Sequence, residues 1–230
     1  MNLKEYYDNL DPEMLWLPQN PHWTQFRIGL DKEMNNMKKI KDVITDRNLL
    51  LKWLREYQPY HVFYMTSKFL DPTIVNRKGP KLSQNLFLFS DEIILDIDRE
   101  TLQESKTDTL LLDKYLKEMN IPPYMYVYSG KKGFHLHIKF DYRSSAEYPI
   151  EREQETLEVK KSILYNIQHD TGLKIDTLAG WNTRGIMRLP GTIHGKTGNL
   201  VEIIQYDEIK DYKPKKIVNI REDPKFKDYI

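Results

Sequence analysis

The sequence predicts an α/β fold, and three observations predict it. Short apolar runs of strand character alternate along the chain with amphipathic segments of helical period, the order in which helices pack on a sheet. The segment from Phe134 to Phe140 alternates strictly between apolar and polar residues, the period of a half-buried strand. With 230 residues, 40% of them hydrophobic, the chain is long enough for one well-cored unit and carries no repeat or low-complexity linker that would divide it.

In chain order, residues 1–60 read as a helical N-terminal extension, whose clearest element is a helix over 45–57 opened by Thr45 or Asp46, with Leu50, Trp53, Leu54 and Tyr57 on one stripe. The core is expected over 61–206. It opens with a strand at 61–66, followed by a basic loop at 76–85. A β-rich run at 92–98 ends in two acids, and a helix over 107–120 is capped by Thr107 or Asp108 and stopped by Pro122 and Pro123. Two strands then flank the tight turn Ser129–Gly133. A long amphipathic helix over 152–172 closes on Gly172, and the runs "GIMRL" and "NLVEIIQY" supply the last strands around a mixed sheet. Residues 207–230 read as a charged C-terminal appendage.

Composition narrows the function classes. The absence of cysteine excludes disulfides and thiolate zinc sites and fits a reducing, cytoplasmic compartment. No apolar run of spanning length occurs, and the first residues are too polar for a signal peptide, so no membrane role is expected. A net charge of +1 means that any nucleic-acid binding must come from a local patch.

Three stretches carry chemistry. In "LDID", Asp96 and Asp98 stand two apart on a strand and project to the same side, where two carboxylates repel unless protonated or bridged by a cation. Hard divalent cations take such oxygen ligands. The pair alone equally describes an exposed acidic strand end. In "SGKKGFHLHI", Ser129, Gly130, Lys131, Lys132 and Gly133 offer backbone amides and two cations to phosphate oxygens, and His135, His137 and Lys139 share the polar face of the strand that follows. Taken alone, this is also a plain hairpin with a solvated polar face. In the third stretch Asp176 is a further carboxylate, Arg188 precedes a Leu-Pro-Gly turn, and "HGKTG" places His194 and Lys196 in a second glycine-flanked basic turn; it lacks the upstream glycine and following helix of a Walker loop. His22, His61 and His169 have no partners at metal spacing and read as ordinary histidines, and the four tryptophans read as packing residues.

In this order the three stretches resemble the three motifs of the archaeo-eukaryotic primase superfamily, above all the catalytic small subunit of archaeal primases. The resemblance covers about residues 91–205. It implies a primase catalytic core with an RRM-like subdomain, helices packed on the sheet and, since cysteine is absent, no zinc knob. It implies that Asp96, Asp98 and Asp176 are catalytic and hold two Mg²⁺ or Mn²⁺ ions, with no zinc. Ser129, Gly130, Lys131, Lys132, Gly133, His135, Arg188, His194 and Lys196 would bind the nucleotide. An N-terminal phosphate-contacting arginine of the family has only Arg27 as a weak counterpart. The implied activity is template-dependent, metal-dependent nucleotidyl transfer, as a primase or primase-polymerase. A gap-filling polymerase of an end-joining system shares the motifs. The implied partners are single-stranded or primer-template DNA and NTP or dNTP, with a primase large subunit, a helicase or end-joining proteins beyond these. A phosphoesterase built on Asp-x-Asp and His-x-His, and a non-catalytic nucleic-acid-binding module, stand as the alternatives from other classes.

Overall fold

The structure, a computed structural model, describes residues 1–75, 87–176 and 180–220. The α/β class is as expected, but the strands divide between two larger sheets, where one mixed sheet was expected. A four-stranded sheet has the order β2 (Met37–Lys39), β1 (Phe26–Gly29), β3 (His61–Met65), β9 (Ile186–Arg188). A five-stranded sheet has the order β10 (Thr192–Ile193), β11 (Leu200–Ile204), β7 (Met125–Tyr128), β8 (Phe134–Lys139), β6 (Glu92–Ile97). A small ribbon pairs β4 (Ser67–Phe69) with β5 (Phe87–Ser90).

Every pairing among these strands is antiparallel, and the connections show why. Helix α3 (Leu102–Glu118) carries the chain from β6 to β7, which run parallel, but β8 turns back and inserts between them. This is the split β-α-β arrangement, completed by helix α4 (Pro149–Thr171) and β11 beside β7.

The period-2 reading of β8 explains its packing. Phe134, Leu136 and Ile138 lie with Ile93, Leu95 and Ile97 of β6 under Leu112 and Leu116 of α3 and Leu164 and Ile167 of α4. The other face of this sheet is not open to solvent. Ile94 joins the core of the four-stranded sheet, with Phe26, Ile28, Val62 and Tyr64, and Trp16 packs between Tyr64 (ring centroids 5.1 Å apart) and His137 (6.4 Å). His137 is therefore buried, its Nδ1 3.0 Å from Glu92, which also accepts from the Tyr124 hydroxyl at 2.7 Å. Burial alone would raise the Glu92 pKa; His137, Lys68 and Tyr124 together hold it at about 2.

Several expectations are corrected. Residues 1–60 are not a helical extension: besides α1 (Leu3–Asn9) and α2 (Arg47–Tyr57) they carry β1 and β2, and β1 pairs with β3 along its whole length. Helix α3 begins at Leu102, because Thr101 and Glu104 form a reciprocal cap upstream of the expected Thr107 or Asp108. Of the two caps expected for α2, Asp46 is the one used, its carboxylate accepting the Leu49 amide, and α4 ends on Gly172 in the left-handed region, as read from sequence. Of the expected appendage, residues 207–220 pack onto the core through Ile209, Tyr212, Val218 and Ile220, and the rest lies outside the described residues, as does the basic loop at 76–85.

Candidate active site

The end of β6, the turn after β7 and the turn after β10 meet in one cavity of about 300 Å³. Its lining includes Asp96, Asp98, Ser129, Lys131, His135, Arg188, His194 and Lys196, eight of the residues singled out from the sequence. Antiparallel pairing sets Asp96 directly opposite His135, with His135 Nε2 3.8 Å from the Asp96 carboxylate. Asp98 lies just beyond the strand end, its side chain 57% exposed, with Lys132 Nζ at 3.9 Å. Lys132 thus faces an acid at the rim and does not line the cavity.

The two basic turns are fastened to one another. Turn 129–133 closes through the Ser129 amide on the Gly133 carbonyl (3.0 Å) and the Tyr128 hydroxyl on the Lys131 carbonyl (2.7 Å). The Gly130 carbonyl accepts from Thr197 Oγ1 (2.7 Å) and Asn199 Nδ2 (3.1 Å), which ties this turn to His194–Gly198. Gly130 has φ +91°, and a β-carbon there would lie 2.4 Å from the His194 β-carbon, so only glycine permits the approach. At Gly133 a β-carbon would meet the Ile97 carbonyl at 2.9 Å, so the turn lies flat on the end of β6.

Asp176 is exposed and does not line the cavity. Its amide donates to the Asp96 carbonyl (3.0 Å), which docks the third stretch on β6. Burial, then the carboxylates of Asp176 and Asp98, push the Asp96 pKa up to about 7, against the opposing pull of Arg188. Among the described residues no three His, Asp or Glu side chains converge as a closed metal site, so the three acids are neighbours without forming the tight cluster expected of them.

Burial draws Arg188 down to about 10, opposed by Asp96 and Asp98, and leaves it a cation at neutral pH. Burial with the nearby cation Arg188 also lowers His135 and His194 to about 3, so both are neutral imidazoles.

His61 corrects the sequence reading. It is fully buried on β3, its Nδ1 2.8 Å from Arg188 and 3.4 Å from the Gly195 amide, its Nε2 3.0 Å from the Lys32 carbonyl. The carbonyl requires the proton on Nε2, which leaves Nδ1 to accept from Arg188; burial and Arg188 hold the ring neutral, with a pKa of about 4. His61 therefore aims Arg188 and braces the second basic turn. No spacing rule could have shown this, since the partners are far apart in sequence. His22 and His169 are exposed. Arg27 lies outside the cavity, across β3 from Arg188 with Phe63 between them, its Nε on Gln25 at 2.7 Å.

No family model matches the chain. In sequence it is 24% identical over 193 residues to the DNA primase small subunit PriS of Pyrobaculum calidifontis, covering 65% of this chain and 61% of that protein. It thus spans about three fifths of the length of this curated relative. In structure it superposes on the polymerase domain of Mycobacterium tuberculosis Ligase D, solved in complex with DNA, with a TM-score of 0.58 at 10% identity over 93% of this chain and 84% of that one. It also superposes on the AEP domain of the cyanophage S-2L primase-polymerase, with a TM-score of 0.50 at 13% identity over 81% of this chain and 82% of that one. The fold is that of a primase-polymerase catalytic domain. On this primase-polymerase fold, the cavity opens where the carboxylate-bearing end of β6 faces β9 of the other sheet.

Proposed function

We propose that the chain is a metal-dependent nucleotidyltransferase that adds nucleotides to a nucleic-acid strand on a template, as a primase or primase-polymerase. One observation carries the reading. A single cavity has Asp96 and Asp98 on one wall and Lys131, Arg188 and Lys196 on the others, an arrangement suited to a polyanion bound beside acids. The donor set fits a hard divalent cation. It offers carboxylate oxygens, and Asp96 is a half-buried acid beside two further carboxylates, unfavourable to ionise until a cation bridges them. Asp96, Asp98 and Asp176 would hold Mg²⁺ or Mn²⁺, which when bound supplies activation of a hydroxyl nucleophile and charge neutralisation on the leaving pyrophosphate.

The chain's own residues bind and orient. Ser129, Lys131 and the amides of the first turn take the triphosphate from one side, and Arg188, His194 and Lys196 from the other. Gly130 and Gly133 act by letting the backbone come close, and Lys132 by screening Asp98. His135 lines the same cavity as a neutral imidazole, its buried Nδ1 without a hydrogen-bond partner among the described residues. DNA as the template partner rests on the likeness to PriS and to the Ligase D polymerase domain. Gap filling, which the sequence motifs leave open, stands as a second reading of the same site.

The test is synthesis with Mn²⁺ on a single-stranded template, either unprimed or annealed to leave a primed gap, using ribo- and deoxynucleotides separately. Product without primer establishes the primase reading, and product only across a primed gap establishes the second. No incorporation under either condition overturns nucleotidyl transfer.

A further inference from the structure

We propose that Met34, at the tip of the β1–β2 hairpin, is the residue that contacts the nucleoside portion of the bound nucleotide and sets how well base and sugar are accepted. The inference rests on the nucleotidyl-transfer reading. Among the described residues Met34 is the one apolar side chain in the lining, and every other described lining residue is charged or polar. A nucleoside triphosphate has one part that a thioether suits, its base and sugar, and Met is adaptable enough to meet different bases.

The backbone at this position is costly and held in place. Met34 has φ +65°, a conformation that residues with a β-carbon adopt rarely and at a cost. Asp31 over-determines it. The Asp31 carboxylate accepts the amides of Glu33 (2.8 Å), Asn35 (3.1 Å) and Asn36, while the Met34 amide donates to the Asp31 carbonyl at 3.3 Å. Strain maintained by a dedicated set of hydrogen bonds, at the edge of a cavity, is what a residue placed for contact requires.

The hairpin is also fastened to the groups assigned to the phosphates. Its Lys32 carbonyl accepts from His61, the ring that aims Arg188, and Glu33 forms an ion pair with Lys196 of the second basic turn. The wall that carries Met34 is therefore registered against the triphosphate end, as a pocket that measures the distance from phosphate to nucleoside needs.

Glycine adopts φ +65° without penalty. Met34→Gly thus removes the side chain while relieving the backbone, so binding and stability should move in opposite directions. The experiment measures, by calorimetry in Mg²⁺, binding of nucleoside triphosphates and of inorganic tripolyphosphate to the full chain, with melting temperatures alongside. Met34→Gly is expected to weaken nucleoside triphosphate binding about five- to tenfold, to leave tripolyphosphate binding within about twofold, and to keep or raise Tm. Met34→Leu should bind as the wild type does. Ribose 5-triphosphate separates the two contacts: if its binding weakens with the nucleotides the contact is to sugar, and if it is spared the contact is to base. Unchanged nucleotide binding in Met34→Gly, or equal weakening of tripolyphosphate, overturns the proposal. A wild-type chain that binds neither nucleotide nor tripolyphosphate overturns the nucleotidyl-transfer reading itself, and this inference with it.

Discussion

Leu136→Ala and His135→Ala set the two faces of β8 against each other. Leu136 is fully buried beneath α3 and α4, and truncating it leaves a cavity that the surrounding helices and strands fill only in part. Such a change costs about 2–5 kcal/mol. At about 2–4 °C per kcal/mol for a chain of this size, Tm should fall by roughly 4–20 °C. His135 is nearly as buried, but its Nδ1 has no hydrogen-bond partner among the described residues and its Nε2 stands 3.8 Å from Asp96, beyond hydrogen-bonding distance. Truncation loses packing and at the same time relieves a desolvated polar group. These offset, so stability should change by only about 1 kcal/mol, which moves Tm by roughly 4 °C at most. Nucleotide use should respond in the opposite order. Loss of a charge-assisted contact worth about 1.5–3 kcal/mol raises the nucleotide KM about ten- to a hundredfold in His135→Ala, while Leu136→Ala retains near-normal KM below its melting point. Steady-state incorporation kinetics and thermal melting of both variants, run side by side, make the comparison. A His135→Ala protein that melts early yet keeps a normal nucleotide KM would refute the assignment of this face to the nucleotide.

Asp98→Asn should abolish nucleotide addition with Tm unchanged, since the side chain is largely exposed; full incorporation in that variant would remove Asp98 from the metal-binding set. Gly130→Ala should cost about 1–3 kcal/mol from its positive φ and weaken tripolyphosphate binding, because the new β-carbon must push His194 away; calorimetry and melting report both. Lys160 is buried, its ammonium on Ser90 Oγ at 2.6 Å, and burial lowers its pKa from 10.5 to about 8. The unfolded chain therefore binds more protons than the fold between pH 8 and 10.5, so this group makes stability rise with pH across that window. Melting from pH 7 to 10 should show the wild type gaining on Lys160→Met, and parallel curves would contradict the assignment. DNA affinity should weaken steeply from low to moderate salt, because a chain of net charge +1 binds phosphates through local cations alone; a salt-independent binding constant would exclude a backbone-tracking groove.

The legible parts of the molecule were those in which a local pattern decides the structure. The alternation of Phe134 to Phe140 placed β8 and its buried face, and Asp46 and Gly172 marked helix ends through their own backbone chemistry. Strand β1 was missed because four residues, with Arg27 and Gly29 among them, give too short a period to register. The start of α3 was missed because the true cap, Thr101 with Glu104, lies one and a half turns ahead of another plausible one. In the site, glycine-flanked basic turns and paired acids were visible as motifs. The role of His61 was not, since it depends on β3 lying against β9 and on a partner 127 residues away. Met34 was invisible for a related reason: its conformation is imposed by hydrogen bonds to Asp31, and nothing in its own residue type announces it.

The acids and the arginine of the cavity belong to different sheets, Asp96 and His135 to the five-stranded one, Arg188 and His61 to the four-stranded one. Each sheet has its own ladder hydrogen bonds, and what joins them is a shared apolar core, in which Ile94, Ile193 and Leu200 pack with Phe26, Ile28, Val62 and Tyr64, together with the Gly195 amide on His61. A slip of an ångström or two along that seam would break no ladder hydrogen bond, yet it would separate cation from carboxylate. Such placement makes the chemistry a gauge of how the two bodies are seated. Under mild denaturant or pressure, incorporation should disappear while the far-ultraviolet circular dichroism is still that of the intact fold, because the seam yields before either sheet does.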